Sequence, residues 1–427
     1  MFSVNKRNKL FSNEELREMS KEELIEKITQ LQAHNTQLKN ILHKRDPEGK
    51  FIEEAPSRKK KRKQFDFSKS HKRHILLKLL YLGWDYQGYV SQEESTATIE
   101  YHLFRALEKT CLIEKRELAN YHRCGRTDKG VSAFAQTISL DVRSKFPPEE
   151  QNSPENIANE LDYCIMLNQN LPDDIRCIAW HSTDDVSFSA RFNCRQRIYR
   201  YYFPRGKLNI DAMTVGCSYL VGCHDFRNFC KMDVANGVVS FTRTIENAEI
   251  HRIDGTDDPH GMMFLEIHSN AFLWHQIRCI MSILLLIGVE KELPDVIREL
   301  LNVEKNPRKP QYSLASDIPL NLYGTVFPET TNWTFHQHTL RRVIKTLEEQ
   351  WMISSIKTTM MRQMVEDLRK MYQERFSLSD DTICSGEELI QGARMKNYRP
   401  LMERTRADSL EDRIEHFVKK RRLNVTE

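Results

Sequence analysis

The run CIMSILLLIGV, residues 279 to 289, is the longest apolar stretch of this 427-residue chain. It is about half of the ~20 residues that a membrane crossing needs, so it reads as a helix buried in a protein core. Arg278 stands directly before it. A buried guanidinium is tolerable only beside a carboxylate, and the chain must therefore fold so that an acid reaches this point. With 40% apolar residues there is enough material for at least one real core, and the length allows two or three domains.

Asp128 is the candidate acid. It sits in HRCGRTDKGVSA, residues 122 to 133, between Arg126 and Lys129, and Gly125 and Gly130 bracket the three. Glycine permits backbone shapes that other residues resist, so this hexapeptide reads as a tight exposed loop. Ile138, Leu140 and Val142 alternate with Ser139, Asp141 and Arg143 just beyond it, the pattern of a half-buried strand. The loop thus leads directly into a sheet.

Nothing in MFSVNKRNKL marks the chain for secretion, and ten scattered cysteines without a Cys-x-x-Cys pair fit reduced thiols in a cytosolic or nuclear compartment. Cys217, Cys223, His224 and Cys230 come nearest to a zinc set but match no common ligand spacing, so no metal is expected. The net charge is only +4, yet its distribution is uneven. Arg58 to Lys63 is an unbroken cationic run, and Lys419 to Arg422 forms a second cluster. Such runs serve nuclear import or phosphate contact when they are more than solvated tails.

Ser20-Lys-Glu-Glu23 has the form of a capping box. Leu24, Ile28, Leu31, Asn35, Leu38 and Leu42 then follow the a/d spacing of a coiled coil, which can pair two chains or dock on the protein's own body. From Ile75 the pattern changes to strands and helices in alternation. Strands are expected at 75–81, 176–181, 198–203, 244–251 and 263–269, and helices at 99–111, 225–233, 273–288 and 294–303. This mixture argues for an α+β core with a substantial sheet, followed beyond Trp333 by a mostly helical, charged extension with a helix at 339–373.

Arg191 and the stretch RQRIYRYYF, residues 195 to 203, interleave arginines with aromatics, which suits pairing with phosphates and stacking on bases. A glycosidic hydrolase usually needs two carboxylates, and one acid in a cationic surround instead suits a nucleophile or base in a reaction that consumes no water and needs no metal.

Four patches, CGRTDKGVSA, ARF with RIYRYYF, NAFLWHQIRCIM and ASDIPLNLYG, together resemble the TruA family of tRNA pseudouridine synthases. The resemblance runs from about Ile75 to Phe327. Lys129 after the acid, the continuation SAFAQTISLDVRS and the long C-terminal extension are similar to the eukaryotic branch, which modifies uridines 38 and 39 of tRNA. It implies that Asp128 is the catalytic aspartate, acting while the N1 to C1′ bond breaks and uracil reattaches through C5, with no cofactor. Arg126 would help to flip the target nucleotide. Tyr199 would stack on uracil, Arg278 would pair with the aspartate, and Leu320 would lie under the base, although Pro-Leu-Asn-Leu replaces the bacterial Gly-Leu-x-Leu. Lys129 and Arg191 join Arg126 and Leu320 as substrate-binding residues.

The resemblance also implies a fold: two similar α/β subdomains sharing one extended, mainly antiparallel sheet, with the active cleft between them. On that reading residues 1–73 are a coiled-coil helix and basic linker, 74–185 and 186–330 the two subdomains, and 331–427 the helical extension with its basic tail. The implied partners are tRNA and a second copy of the chain, with no membrane and no small-molecule cofactor, in nucleus and cytoplasm. Two rivals remain, a catalytically silent tRNA chaperone using the same cleft and an interaction protein built around the coiled-coil seam.

Overall fold

Alternation of side chains accounts for the first strand. In the computed structural model, β1 (His71–Tyr81) sends Ile75, Leu77, Leu79 and Tyr81 into the main core and Leu76 and Leu80 into smaller clusters on its other face. A strand apolar on both faces belongs in the interior of a sheet. The structure describes residues 65–93, 95–183, 185–232, 240–253, 258, 260–328, 332–377, 386–392 and 397–423. The capping box at Ser20, the seam from Leu24 to Leu42 and the run from Arg58 to Lys63 lie outside them.

Among the described residues the strands form one sheet. After β1 come β2 (His122–Arg123), β3 (Ser132–Ser144), β4 (Ile175–Ser182), β5 (Gln196–Pro204), β6 (Gly222–Asp225), β7 (Thr242–Arg252), β8 (Met262–Ser269) and β9 (Leu320–Val326). The order across the sheet is β4-β1-β3-β9-β5-β8-β7-β6, with β2 beside β3. Every pairing is antiparallel except β3 with β9, a short parallel contact of Ser132 with Asn321 and Ala133 with Leu322. β9 thereby joins β4-β1-β3 to β5-β8-β7-β6, although it lies far from both neighbours in sequence. The fold is α+β with a large, mostly antiparallel sheet.

The expected strands all fall within these elements. Ser139, placed on the outer face by the alternation, is instead fully buried, because its hydroxyl accepts the backbone N–H of Ala190 from a segment packed over that face.

The helices are α1 (Ile99–Lys109), α2 (Pro154–Asn159), α3 (Tyr163–Asn168), α4 (Ile210–Leu220), α5 (Gln276–Gly288), α6 (Val296–Leu301), α7 (Gln337–Phe376) and α8 (Leu410–Leu423). α5 carries the apolar run and is buried along its whole length. Helices were not expected at α2, α3 and α4, whose N-caps are Ser153, Asp162 and Asn209; each side chain accepts a backbone N–H three residues on.

Two expected helices are corrected here, and the start of a third, expected at 273–288, moves to Gln276. Asp225 to Met232 holds the end of β6 and a short 3₁₀ turn, Arg227–Phe229, in place of a helix. The Asp225 carboxylate accepts the Arg227 backbone N–H at 2.9 Å and its guanidinium at 2.7 and 3.0 Å, which fixes a turn where a helix would have run on. α6 is shorter than 294–303, ending where Asn302 leaves helical geometry. No helix among the described residues is long and apolar enough to cross a membrane.

Candidate active site

The loop before β3 is held by its backbone. The Cys124 N–H donates to the Thr137 carbonyl at 2.8 Å. Gln136, fully buried, then grips Gly125 from both sides, donating to its carbonyl at 2.9 Å and accepting its N–H at 3.3 Å. The Thr127 hydroxyl bonds the Tyr81 phenol at 2.8 Å, and its carbonyl accepts from Tyr89 at 3.0 Å. Val131 N–H closes the turn on the Asp128 carbonyl at 3.2 Å. The loop is thus more deeply anchored than the exposed turn expected from its glycines, and only the side chains of Arg126 and Lys129 are freely exposed.

The two glycines also differ. Gly130 has φ of +77°, a left-handed backbone that disfavours any larger residue, and a Cβ there would stand 2.8 Å from the Asp317 carboxylate, which would have to shift. Gly125 keeps negative φ, and a Cβ there would meet nothing nearer than the Tyr199 hydroxyl at 3.8 Å.

The loop faces a cleft of about 1000 Å³ whose lining includes Arg126, Asp128, Lys129, Arg191, Tyr199, Arg278 and Leu320. All seven residues singled out from the sequence therefore meet in one place. Tyr199 comes from β5, paired with Leu322 of β9 and Ile267 of β8, and packs edge-on against Phe272 with centroids 5.2 Å apart. Leu320 opens β9 and is buried. Arg191 is exposed and lies over the ring of the equally exposed Phe192 at 5.1 Å.

The expected direct pair between Asp128 and Arg278 is not formed. Arg278 is buried, 6% exposed, but its Nε donates to the Ala315 carbonyl at 2.8 Å and a terminal nitrogen to Gln391 at 2.9 Å. It acts on Asp128 through its field. The nearest basic group to the carboxylate is His275, whose Nε2 lies 3.6 Å from Oδ2. Burial raises the Asp128 carboxyl above its ordinary value, with Asp317 adding to the rise, while Arg278, a hydrogen bond from Trp274 and Lys231 pull it back. Burial, then the charges of Arg278, Lys231 and Lys309, push His275 down to about 4, so its ring is neutral near pH 7. Burial also raises the Tyr199 phenol, helped by nearby Cys124 and Asp128, and the group stays protonated.

Three contributors were missed. His275 and Trp274 lay inside the NAFLWHQIR patch, but nothing in the sequence shows that His275 adopts a left-handed backbone, φ 61°, which lets the Gln276 side chain accept the Leu273 N–H and start α5 there rather than at Leu273. Arg197 is the third. Its guanidinium donates to the carbonyls of Cys124 (2.8 and 3.1 Å), Arg191 (3.1 Å), Cys194 (3.3 Å) and Asn270, tying together the three segments that carry Asp128, Arg191 and Trp274. Its place two residues before Tyr199 on the same strand face was the available signal.

A family profile described as tRNA pseudouridine synthase matches residues 217–328. A Homo sapiens protein named tRNA pseudouridine(38/39) synthase is 41% identical over 94% of this chain and 88% of its own length. A Bos taurus protein of the same name is 43% identical over 85% of this chain and 80% of its own. The Saccharomyces cerevisiae counterpart is 42% identical over 76% and 74%. Matches of that identity and coverage, on a chain whose motif residues converge on one cleft, mean that it belongs to the TruA-type family of tRNA pseudouridine synthases, in the eukaryotic branch.

Proposed function

We propose that the chain isomerises uridine to pseudouridine at positions 38 and 39 of the tRNA anticodon stem-loop, with Asp128 as the nucleophile or activating base. The observation that carries this reading is a single anchored carboxylate meeting Tyr199, Arg278 and a cationic rim in one cleft. Asp128 acts on the nucleotide as the N1 to C1′ bond breaks; uracil turns against Tyr199 and Leu320, C5 bonds to C1′, and the C5 proton leaves. The Tyr199 phenol is protonated at rest, so its hydroxyl serves as a relay for that proton. Arg126 takes the space of the flipped nucleotide, and Lys129 and Arg191 hold phosphates. Purified protein and tRNA carrying tritium at uridine C5 test the reading, since each pseudouridine formed releases one label. Release that survives replacement of U38 and U39 would remove the positional assignment, and no release would remove the reaction.

Three features complete the reading. The cleft lies between two α/β subdomains with their seam near residue 185, and the functional unit is a homodimer. Along α7, Trp351, Ile356, Met360 and Met364 stay exposed in a stripe that a second copy would cover, while the coiled-coil seam from Leu24 to Leu42 offers a further pairing element. Sedimentation at micromolar concentration should give the mass of a dimer. The run from Arg58 to Lys63 directs part of the population to the nucleus, and its neutral replacement should leave the protein cytoplasmic.

A further inference from the structure

The described residues contain two thiol pairs of nearly equal separation in very different surroundings. Cys124 and Cys194 have their sulfurs 3.3 Å apart, and Cys164 and Cys177 have theirs 3.2 Å apart. The second pair sits in the main core between α3 and β4, 1% and 0% exposed. The first is 3% and 7% exposed, but both of its cysteines line the cleft. It joins the segment carrying Asp128 to the segment carrying Arg191.

We propose that Cys124 and Cys194 are an oxidisable dithiol that a hydroperoxide converts to a disulfide, stopping turnover until a thiol reductant reopens it. Three observations converge on this pair. A small oxidant can reach it from the cleft. Its sulfurs already face each other, the Cys124 thiol donating to Cys194. The Arg197 guanidinium, bonded to the carbonyls of both residues, places a fixed positive charge beside them, and thiolate is the reactive form. The hydrogen bond from Cys124 pushes the Cys194 thiol down while Cys194 and burial hold Cys124 up, and the Arg197 charge favours the thiolate at both; no cation acts on Cys164, which Cys177, burial and Asp162 hold neutral.

The chemistry balances. The Cys194 thiolate attacks one peroxide oxygen, the O–O bond breaks, and the departing hydroxide takes up a proton as water, leaving a sulfenic acid. The Cys124 sulfur then loses its proton and attacks Cys194, the S–S bond forms as the S–O bond breaks, and a second water leaves. Two thiols and one hydrogen peroxide become one disulfide and two waters. Bond formation shortens the separation from 3.3 Å to about 2.05 Å, drawing together segments that carry Asp128 four residues after Cys124 and Arg191 three before Cys194. A misplacement near 1 Å at a reacting centre is worth up to ~100-fold in rate.

Disulfide formation stands independently of the proposed reaction, and only its effect on turnover rests on that reading. The full-length protein is treated with a small excess of hydrogen peroxide, digested without reductant and mapped by mass spectrometry, with tritium release measured in parallel. The expected result is a Cys124–Cys194 linked peptide, a fall in turnover of at least ~10-fold, and recovery with dithiothreitol. Cys194→Ser and Cys124→Ser should each keep their own untreated activity through the same exposure. A Cys164–Cys177 link in place of the expected one, or no link at all, would overturn the site assignment. A linked protein with unchanged turnover, or serine variants as sensitive to peroxide as the wild type, would overturn the switch while leaving the proposed reaction intact.

Discussion

The two sides of the cleft hold Asp128 by different means. On one side its own loop is bonded group by group, through Gln136 on Gly125, Tyr81 and Tyr89 on Thr127, and β3 on Cys124. On the other side the turn from Asn270 to His275 and the start of α5 approach with little direct bonding. His275 stands 3.6 Å away, and Arg278 is anchored elsewhere, on Ala315 and Gln391. The position of the carboxylate and its charge are therefore set by separate groups. Substitutions on the first side should disturb geometry, and those on the second should disturb protonation.

The largest effect belongs to the carboxylate that both sides serve. Asp128→Asn should lower pseudouridine formation by ~10⁴-fold or more, the scale on which loss of a nucleophile is felt, while tRNA affinity measured by filter binding stays the same or tightens. It should also melt higher at neutral pH. The folded protein raises this carboxyl above its ordinary value, so the native state binds the proton more tightly than the unfolded chain does. Stability then falls as pH climbs through the two values, and the full penalty is present above the folded one. An Asp128→Asn protein that melts lower than wild type would break the claim that burial strains this group.

Arg278→Ala comes next and tests the second side alone. Its guanidinium lowers the Asp128 carboxyl, so its loss should raise it further and move the acid limb of the pH–rate profile to higher pH. Turnover at pH 7 should drop by ~100-fold or more, with partial recovery as pH rises, if the field is the main contribution. Removing a direct partner from a buried ion pair would cost about 3 to 5 kcal/mol. Here the groups stranded are a carbonyl and an amide, so denaturant unfolding should show about 1 to 3 kcal/mol. A larger loss with an unmoved pH profile would restore the direct pair.

Tyr199→Phe separates stacking from proton handling within the same cleft. The ring and its edge-on contact with Phe272 remain, and only the hydroxyl is lost. Overall turnover should fall by roughly 100-fold with tRNA affinity unchanged, the scale of a lost general base. Tyr199→Leu should lose a further ~1 to 3 kcal/mol from the missing stack. Near-normal tritium release by Tyr199→Phe would confine this residue to stacking.

The sequence made the first side of the cleft more legible than the second. Asp128, its glycines and β3 are contiguous, so spacing alone placed the acid at the mouth of a strand. Arg278 was correctly read as buried, but its partners lie 37 and 113 residues away, and Gln391 belongs to an extension with no expected role in the site. Pairings of that range leave no local periodicity to read. The parallel seam formed by β9 was hidden for the same reason. Between Asp225 and Met232 the failure was local: Phe226, Phe229, Cys230 and Met232 are buried at spacings that imitate a helix, while one carboxylate folded onto Arg227 makes a turn. The backbone of His275 could not be foreseen, since a left-handed histidine has no sequence signature.

The smallest effect should come from Arg197, whose guanidinium hydrogen-bonds backbone carbonyls on both sides. Lysine keeps the charge but offers a single ammonium in place of a fork that reaches the carbonyls of Cys124, Arg191, Cys194 and Asn270. If Gln136 and β3 suffice to fix Asp128, Arg197→Lys should lower the single-turnover rate by no more than ~10-fold, about 1.4 kcal/mol of barrier. The Arg191 segment has fewer other ties, so apparent tRNA affinity should weaken by a comparable factor, and saturating enzyme should recover most of the rate. A loss approaching that of Asp128→Asn, unrelieved at saturation, would mean that the loop depends on Arg197 for its geometry. The two sides would then be one coupled unit, and the separation of position from charge would fail.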